Sequence, residues 1–242
     1  MSGKDRLDDL QLGGWGIWQN EDYFRFGTDG VLLAHFARCK RSAKALDLCS
    51  GTGIVPILLL AHRKVERVEA MEIQPYLCRL MERTAKENKC EDRFGIIEGD
   101  LRDKNCLPLA HSYDLVTVNP PYEPLGRGLI GENPHKNIAR REECCTLQDA
   151  LAAATHLLKD GGCLCMVHRP YRLAETLAAL PAYRLSPSRL RLVEPKRGEA
   201  PNLFLLEAVR CGERELKVEP CLTLHEADGS ESKELKEIYR RK

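Results

Sequence analysis

Short apolar runs alternate along this chain with longer stretches in which apolar residues recur three and four positions apart. Ala43 to Cys49, Arg67 to Met71, Phe94 to Glu98, Tyr113 to Val118 and Cys163 to His168 are short apolar runs, which predicts five buried strands. Between them, Ile54 to His62, Tyr76 to Asn88, a Thr146-capped stretch to Leu158, and Tyr171 to Leu180 predict helices. Pro75 suits a first helical position, and Leu77, Leu80, Met81 and Thr84 share one face of the helix it opens. Lys159-Asp160-Gly161-Gly162 predicts a tight turn into the fifth strand. Arg189 to Glu194 and Asn202 to Arg210 predict a terminal strand pair, and Ser230 to Tyr239 a short charged helix. Regular alternation of strand and helix predicts an α/β fold. It would have a doubly wound, mostly parallel seven-stranded sheet, helices on both faces and a C-terminal antiparallel pair. A length of 242 residues suits a single domain spanning residues 1–242 with a sizeable core.

Composition narrows the function classes. Lys+Arg 37 against Asp+Glu 36 leaves no global field, so contact with nucleic acid must come from a local patch. The polar start, Met1 to Arg6, lacks the apolar core of a secretory signal, and no run reaches the length of a membrane span. The 11 cysteines are odd in number, lack zinc-type spacing and fall largely inside apolar runs. They read as reduced thiols of a cytoplasmic protein, with no metal site and no membrane partner expected.

Chemistry concentrates at the ends of the expected strands. Asn119-Pro120-Pro121-Tyr122 follows the fourth strand, and two prolines stop the ladder and stiffen the exit. That exit leaves an amide, a rigid carbonyl and an aromatic ring at the edge where open parallel sheets bind ligands. The amide oxygen and carbonyl can accept both protons of an exocyclic amine, and the ring can stack on a flat base. Asp47-Leu48-Cys49-Ser50-Gly51-Thr52-Gly53 joins the first strand to a helix but lacks the third glycine of a dinucleotide loop, with Pro56 in its place. Asp47 would repel a pyrophosphate and suits a cation such as an amino group. Glu72, ending the second strand, can accept two ribose hydroxyls, and Asp100, ending the third, an adenine amine. Taken singly, Asp47 also suits a helix cap or turn, Glu72 a cap for the helix at Pro75, and Asp100 an Asx turn. Acids after three successive strands and an asparagine after the fourth form the layout for S-adenosylmethionine.

From Glu123 to Glu143 the chain is polar, Gly- and Pro-containing and basic, a loop long enough to act on substrate at the adjacent edge. Arg127, Lys136, Arg140 and Arg141 lie in it. Lys196 with Arg197 and the tail Arg240-Arg241-Lys242 make further basic runs. Each run suits either a phosphate contact or a solvated surface.

These motifs resemble class I S-adenosylmethionine-dependent N6-adenine methyltransferases. The similarity is greatest to the bacterial family that methylates an adenine of valine tRNA immediately 3′ of the anticodon. It is carried by Phe24 to Asp29, Asp47 to Gly53, Met71-Glu72-Ile73, Gly99-Asp100-Leu101, Asn119 to Tyr122, Ala139 to Glu142, His168 to Glu175 and Glu194-Pro195-Lys196. The resemblance implies cofactor contacts from Phe26, Gly27, Thr28, Asp29, Asp47, Cys49, Gly51, Gly53, Glu72, Ile73, Asp100, Leu101 and Asn119. It implies catalysis by Asn119, Pro120 and Tyr122, and RNA contact by Arg127, Lys136, Arg140, Arg141, Lys196 and Arg197. Residues 1–42 would close over the methionine end of the cofactor, although Phe26 to Asp29 also suits a glycine turn leading into a helix over Val31 to Ala37. The family often carries His where Arg141 stands. The expected protein is a monomer acting on tRNA. Two alternatives share the motifs: a protein glutamine methyltransferase, since a carboxamide offers the same two protons, and a cofactor-binding scaffold without activity.

Overall fold

The computed structural model describes residues 5–23, 25–121, 145–213 and 215–240. Tyr122, Arg127, Lys136, Arg140 and Arg141, the whole 123–143 loop, Phe24 and the final Arg241-Lys242 lie outside the described residues. In chain order the elements are β1 (Asp5–Asp9), β2 (Gly16–Asn20), α1 (Thr28–Phe36), β3 (Lys44–Leu48), α2 (Ile54–Ala61), β4 (Arg67–Glu72) and α3 (Pro75–Glu87). They continue with β5 (Phe94–Glu98), β6 (Tyr113–Val118), α4 (Leu147–Leu157), β7 (Leu158–His168), α5 (Leu173–Ala179), β8 (Leu185–Lys196), β9 (Leu203–Arg210), β10 (Lys217–His225) and α6 (Lys233–Ile238).

The main sheet has the order β10-β8-β9-β7-β6-β3-β4-β5. Strands β5, β4, β3, β6 and β7 are mutually parallel, β9 is antiparallel to both neighbours, and β10 lies parallel to β8. The expected seven strands are therefore corrected to eight. The additional strand, β10, was hidden by Pro220 and by a register shift between Glu219 and Leu222, which break the alternation a strand normally shows. The β1–β2 hairpin was also unforeseen, because Asp-Arg-Leu-Asp-Asp carries almost no apolar signal. Contacts with α3 hold it instead. Asp5 accepts hydrogen bonds from Tyr76 Oη (2.5 Å), Asn20 Nδ2 (2.6 Å) and Arg83 Nη1 (2.5 Å), while Trp18 N–H donates to Thr84 Oγ1 (3.0 Å).

Two apolar clusters sandwich the sheet, as buried parallel strands require. One gathers Val31, Leu33, Ile57, Leu59, Met81 and Leu235 from α1, α2, α3 and α6; the other gathers Leu151, Ala154 and Leu157 of α4 against Leu46, Val116 and Met166. Helix α4 opens on a reciprocal capping box: Thr146 Oγ1 accepts from Asp149 N–H (3.1 Å) and Asp149 Oδ2 from Thr146 N–H (3.0 Å). The Lys159–Gly162 turn lies within β7 as an irregularity, where pairing jumps from Tyr113–Leu158 to Leu115–Cys163. A Cβ on Gly162 would sit 3.0 Å from Lys159 O and 3.1 Å from Tyr113 O, so only glycine lets the strands close there. No helix among the described residues is long and apolar enough to cross a membrane.

Candidate active site

Register aligns the four strand ends. Leu48 pairs with both Met71 and Val118, Glu72 pairs with Glu98, and Val118 also pairs with Met166. Cys49, Glu72, Glu98 and Asn119 therefore leave the sheet in one row along its C-terminal edge. Asp100 and Leu101 follow two and three residues after Glu98.

The loop after β3 is wound tightly. Cys49 (φ 56°), Gly51 (φ 58°) and Gly53 (φ 82°) are all left-handed. Ser50 N–H donates to Met71 O (3.1 Å) and Gly53 N–H to Ser50 O (2.9 Å), tying the loop to β4 and to itself. The two glycines serve different ends. A Cβ on Gly53 would lie 2.9 Å from Met81 Cγ, whereas one on Gly51 would meet no atom within 4 Å. Gly53 is thus a packing residue, and Gly51 leaves an open face that a ligand can approach closely. Cys49 is a non-glycine residue in the left-handed region, and the neighbouring Cys145 thiol, just before α4, together with burial pushes its own thiol well up.

Two buried carboxyl groups face this loop. Asp47 is 2% exposed and accepts hydrogen bonds from Ser50 Oγ (2.7 Å) and Thr117 Oγ1 (2.5 Å), its register partner on β6. Burial, with Glu72 nearby, pushes the Asp47 carboxyl up to about 7 against those two bonds. Glu72 is 6% exposed, and burial raises it too. Its Oε2 accepts from Gly51 N–H (2.8 Å) and its Oε1 from Gln74 N–H (3.0 Å), so it bolts the glycine loop to the start of α3. Each oxygen has acceptor capacity left for a hydroxyl. Ile73, beside it, exposes an apolar side chain.

Asp100 forms the Asx turn that its sequence allowed, accepting from Arg102 N–H (2.9 Å). Arg102 also folds its guanidinium onto both carboxylate oxygens, with Nε at 3.0 Å from each and Nη2 at 2.6 Å from Oδ2. That contact holds Asp100 below the usual carboxylate range. Leu101 is buried beneath it. Pro120 and Pro121 are buried and Asn119 half-buried, at the exit expected of them.

Helix α1 begins at Thr28, three residues before the expected Val31, with Gly27 as its N-cap and Asp29 in its first turn. Phe26 N–H donates to Gln19 Oε1 (3.2 Å), and Phe26 packs on the core. A Cβ on Gly30 would lie 2.8 Å from Ile54 Cγ2, so α1 abuts α2 immediately after Gly53. Phe26, Gly27, Thr28 and Asp29 are thereby gathered to the glycine loop. Lys196 and Arg197 leave β8 on the same edge as Asn119, separated from β6 by β9 and β7. Arg197 is held by Glu226 in a fork of 2.5 and 2.9 Å.

Sequence reasoning missed Thr117, Ser50 and Arg102. Thr117 carried a signal, as a polar residue inside an apolar strand run; Arg102 carried none, since its role depends on the turn geometry at Asp100.

A parallel sheet whose four neighbouring strands end in Asp47 with its glycine loop, Glu72, Asp100 and Asn119-Pro120 has the architecture of a Rossmann-like methyltransferase. Fold comparison agrees. The structure matches protein Atu636 of Agrobacterium tumefaciens, a predicted O-methyltransferase, with a TM-score of 0.72 at 20% identity over 88% of this chain and 96% of that one. It matches a geranyl diphosphate C-methyltransferase of Streptomyces coelicolor, solved with S-adenosyl-L-homocysteine, with a TM-score of 0.53 at 16% identity over 74% and 78%. The chain belongs to the family described as the methyltransferase small domain, whose model matches residues 21–180. It is 31% identical over 185 residues, 72% of each chain, to the tRNA1(Val) (adenine(37)-N6)-methyltransferase of Porphyromonas gingivalis strain ATCC 33277. To proteins of the same name from Parabacteroides distasonis and Aeromonas hydrophila it is 29% identical over 79% of each chain and 28% identical over 86% and 85%, respectively.

Proposed function

We infer that this protein transfers a methyl group from S-adenosylmethionine to the exocyclic N6 amine of an adenine in tRNA, and that the acceptor is the adenine next to the anticodon of a valine tRNA. The observation that carries the reading is the row of Asp47, Glu72, Asp100 and Asn119 at adjacent strand ends. The relatives' activity supports the choice of acceptor.

The residues fit the cofactor. Two buried carboxyl groups with raised proton affinity have no compensating cation among the described residues, and the ammonium of a methionine moiety would provide one. Glu72 has lone pairs for ribose hydroxyls, and Ile73 offers an apolar surface to a base. The bound cofactor supplies an electrophilic methyl group on a sulfonium. The chain's own task is to present the amine. Asn119 Oδ1 and the Pro120 carbonyl accept its two protons, which favours a pyramidal nitrogen and stabilises the charge that develops there in the transition state. The buried Pro120-Pro121 exit keeps that carbonyl from moving. Tyr122 would stack on the base after it is unstacked from the RNA. Lys196, together with Arg127, Lys136, Arg140 and Arg141, would meet phosphates.

The test is incubation with methyl-labelled S-adenosylmethionine and total tRNA, total protein or duplex DNA. Label is expected in tRNA, with Asn119→Ala lowering kcat by about 10²–10³-fold, the loss typical of one transition-state contact. Label confined to protein would establish the glutamine alternative, and absence of label everywhere the inactive scaffold.

A further inference from the structure

We propose that Tyr171 is a stacking platform for a base that flanks the target adenine, an inference that rests on the RNA methyltransferase reading and deepens it. Met166 of β7 lies beside Val118 of β6 in a parallel pair, so Asn119 falls opposite Val167, about 5 Å across the sheet, and the chain leaves β7 on that same edge one residue later, at His168. Residues Pro170–Arg172 then form a single 3₁₀ turn with Tyr171 at its centre.

That turn is rigid. Pro170 fixes its own φ, Arg172 N–H donates to Arg169 O (3.0 Å), and Thr176 Oγ1 donates to Arg172 O (2.8 Å). Arg169 Nη1 reaches Asn202 O (3.3 Å) and so ties the turn to the start of β9. On this fixed mount Tyr171 is 61% exposed, the one aromatic ring among the large apolar side chains exposed in the described residues. A ring carried on a backbone turn that is already ordered costs less freedom to stack than one on a mobile loop.

Its surroundings favour RNA. Arg169 and Arg172 flank it in sequence; burial, with a smaller contribution from their charge, pushes His168 down to about 3, so the imidazole contributes no charge of its own. Arg172 is paired with Glu175 (3.2 Å), so the feature offered to a ligand here is the exposed ring itself, beside the Asn119 exit, and an exposed ring suits a nucleic-acid strand, whose bases stack.

The experiment compares wild type, Tyr171→Ala and Tyr171→Phe on an RNA stem-loop bearing the acceptor adenine, and on two versions with an abasic site 5′ or 3′ of it. Tyr171→Ala is expected to raise KM for the intact RNA about tenfold with kcat within about twofold, and Tyr171→Phe to match wild type. With one of the two abasic RNAs, wild type and Tyr171→Ala are expected to converge, while S-adenosylhomocysteine affinity by calorimetry stays the same in all three proteins. An unchanged KM in Tyr171→Ala, a penalty that persists on both abasic RNAs, or a parallel loss of S-adenosylhomocysteine affinity would overturn the proposal and leave the parent reading standing. A wild-type enzyme that methylates no RNA overturns both.

Discussion

Asp47→Asn separates the two things a buried carboxyl does here. The side chain keeps its shape, and an amide can still bond the hydroxyls of Ser50 and Thr117, at 2.7 and 2.5 Å in the wild type. What disappears is ionisation. The folded protein binds the Asp47 proton more tightly than the unfolded chain, about 7 against an ordinary 3.8. Folding therefore carries no penalty from this group below pH 3.8; the penalty grows as pH rises through the window and is complete above about 7. The gap between 3.8 and about 7 corresponds to about 4 kcal/mol at roughly 1.4 kcal/mol per pH unit. Urea melts from pH 5 to 8 are expected to show the variant gaining on the wild type by about 1.4 kcal/mol per unit up to pH 7, then levelling. S-adenosylhomocysteine binding is expected to move the opposite way: the variant loses about 10–100-fold in affinity because the ligand ammonium has lost a charged acceptor. Wild-type binding near pH 6 should release a proton, visible as a buffer-dependent heat. Parallel stability profiles for the two proteins would refute the assignment of a raised carboxyl to Asp47.

Gly53→Ala is expected to cost about 2–4 kcal/mol in urea unfolding, since φ is 82° and the added carbon lies 2.9 Å from Met81. Gly51→Ala, where the Cβ meets nothing within 4 Å, should cost only about 1–2 kcal/mol in stability, yet weaken S-adenosylhomocysteine binding in calorimetry. Arg189→Met should destabilise by about 3–5 kcal/mol by chemical denaturation, because it strands Glu207, which Arg189 holds at 2.7 and 3.1 Å in a buried pair.

The parallel core of the fold was legible because each strand buried on both faces reads as an apolar run. Phe94–Glu98 and Tyr113–Val118 match their expected bounds, since Gly, Pro or polar turns punctuate both ends. Charge-rich elements escaped notice. β1 is held by Asp5 to Tyr76 and Arg83, partners 71 and 78 residues away, a bond no local window contains. β10 is an edge strand interrupted by Pro220, so its hydrophobic pattern is too short to register. The placement of Asp47, Glu72, Asp100 and Asn119 at strand ends was legible from residue types, but not the groups that bond them. Thr117 meets Asp47 only because β3 and β6 pair in that register, and Arg102 meets Asp100 only because the turn between them brings it back.

The fork of Arg102 on Asp100 has a kinetic corollary. Both oxygens of Asp100 already accept from Arg102, so a nucleobase amine taken up there, as the proposed cofactor site requires, would swap partners instead of adding a contact. Such a swap is close to thermoneutral and reversible, which suits a catalyst that must shed its spent nucleoside after every turnover.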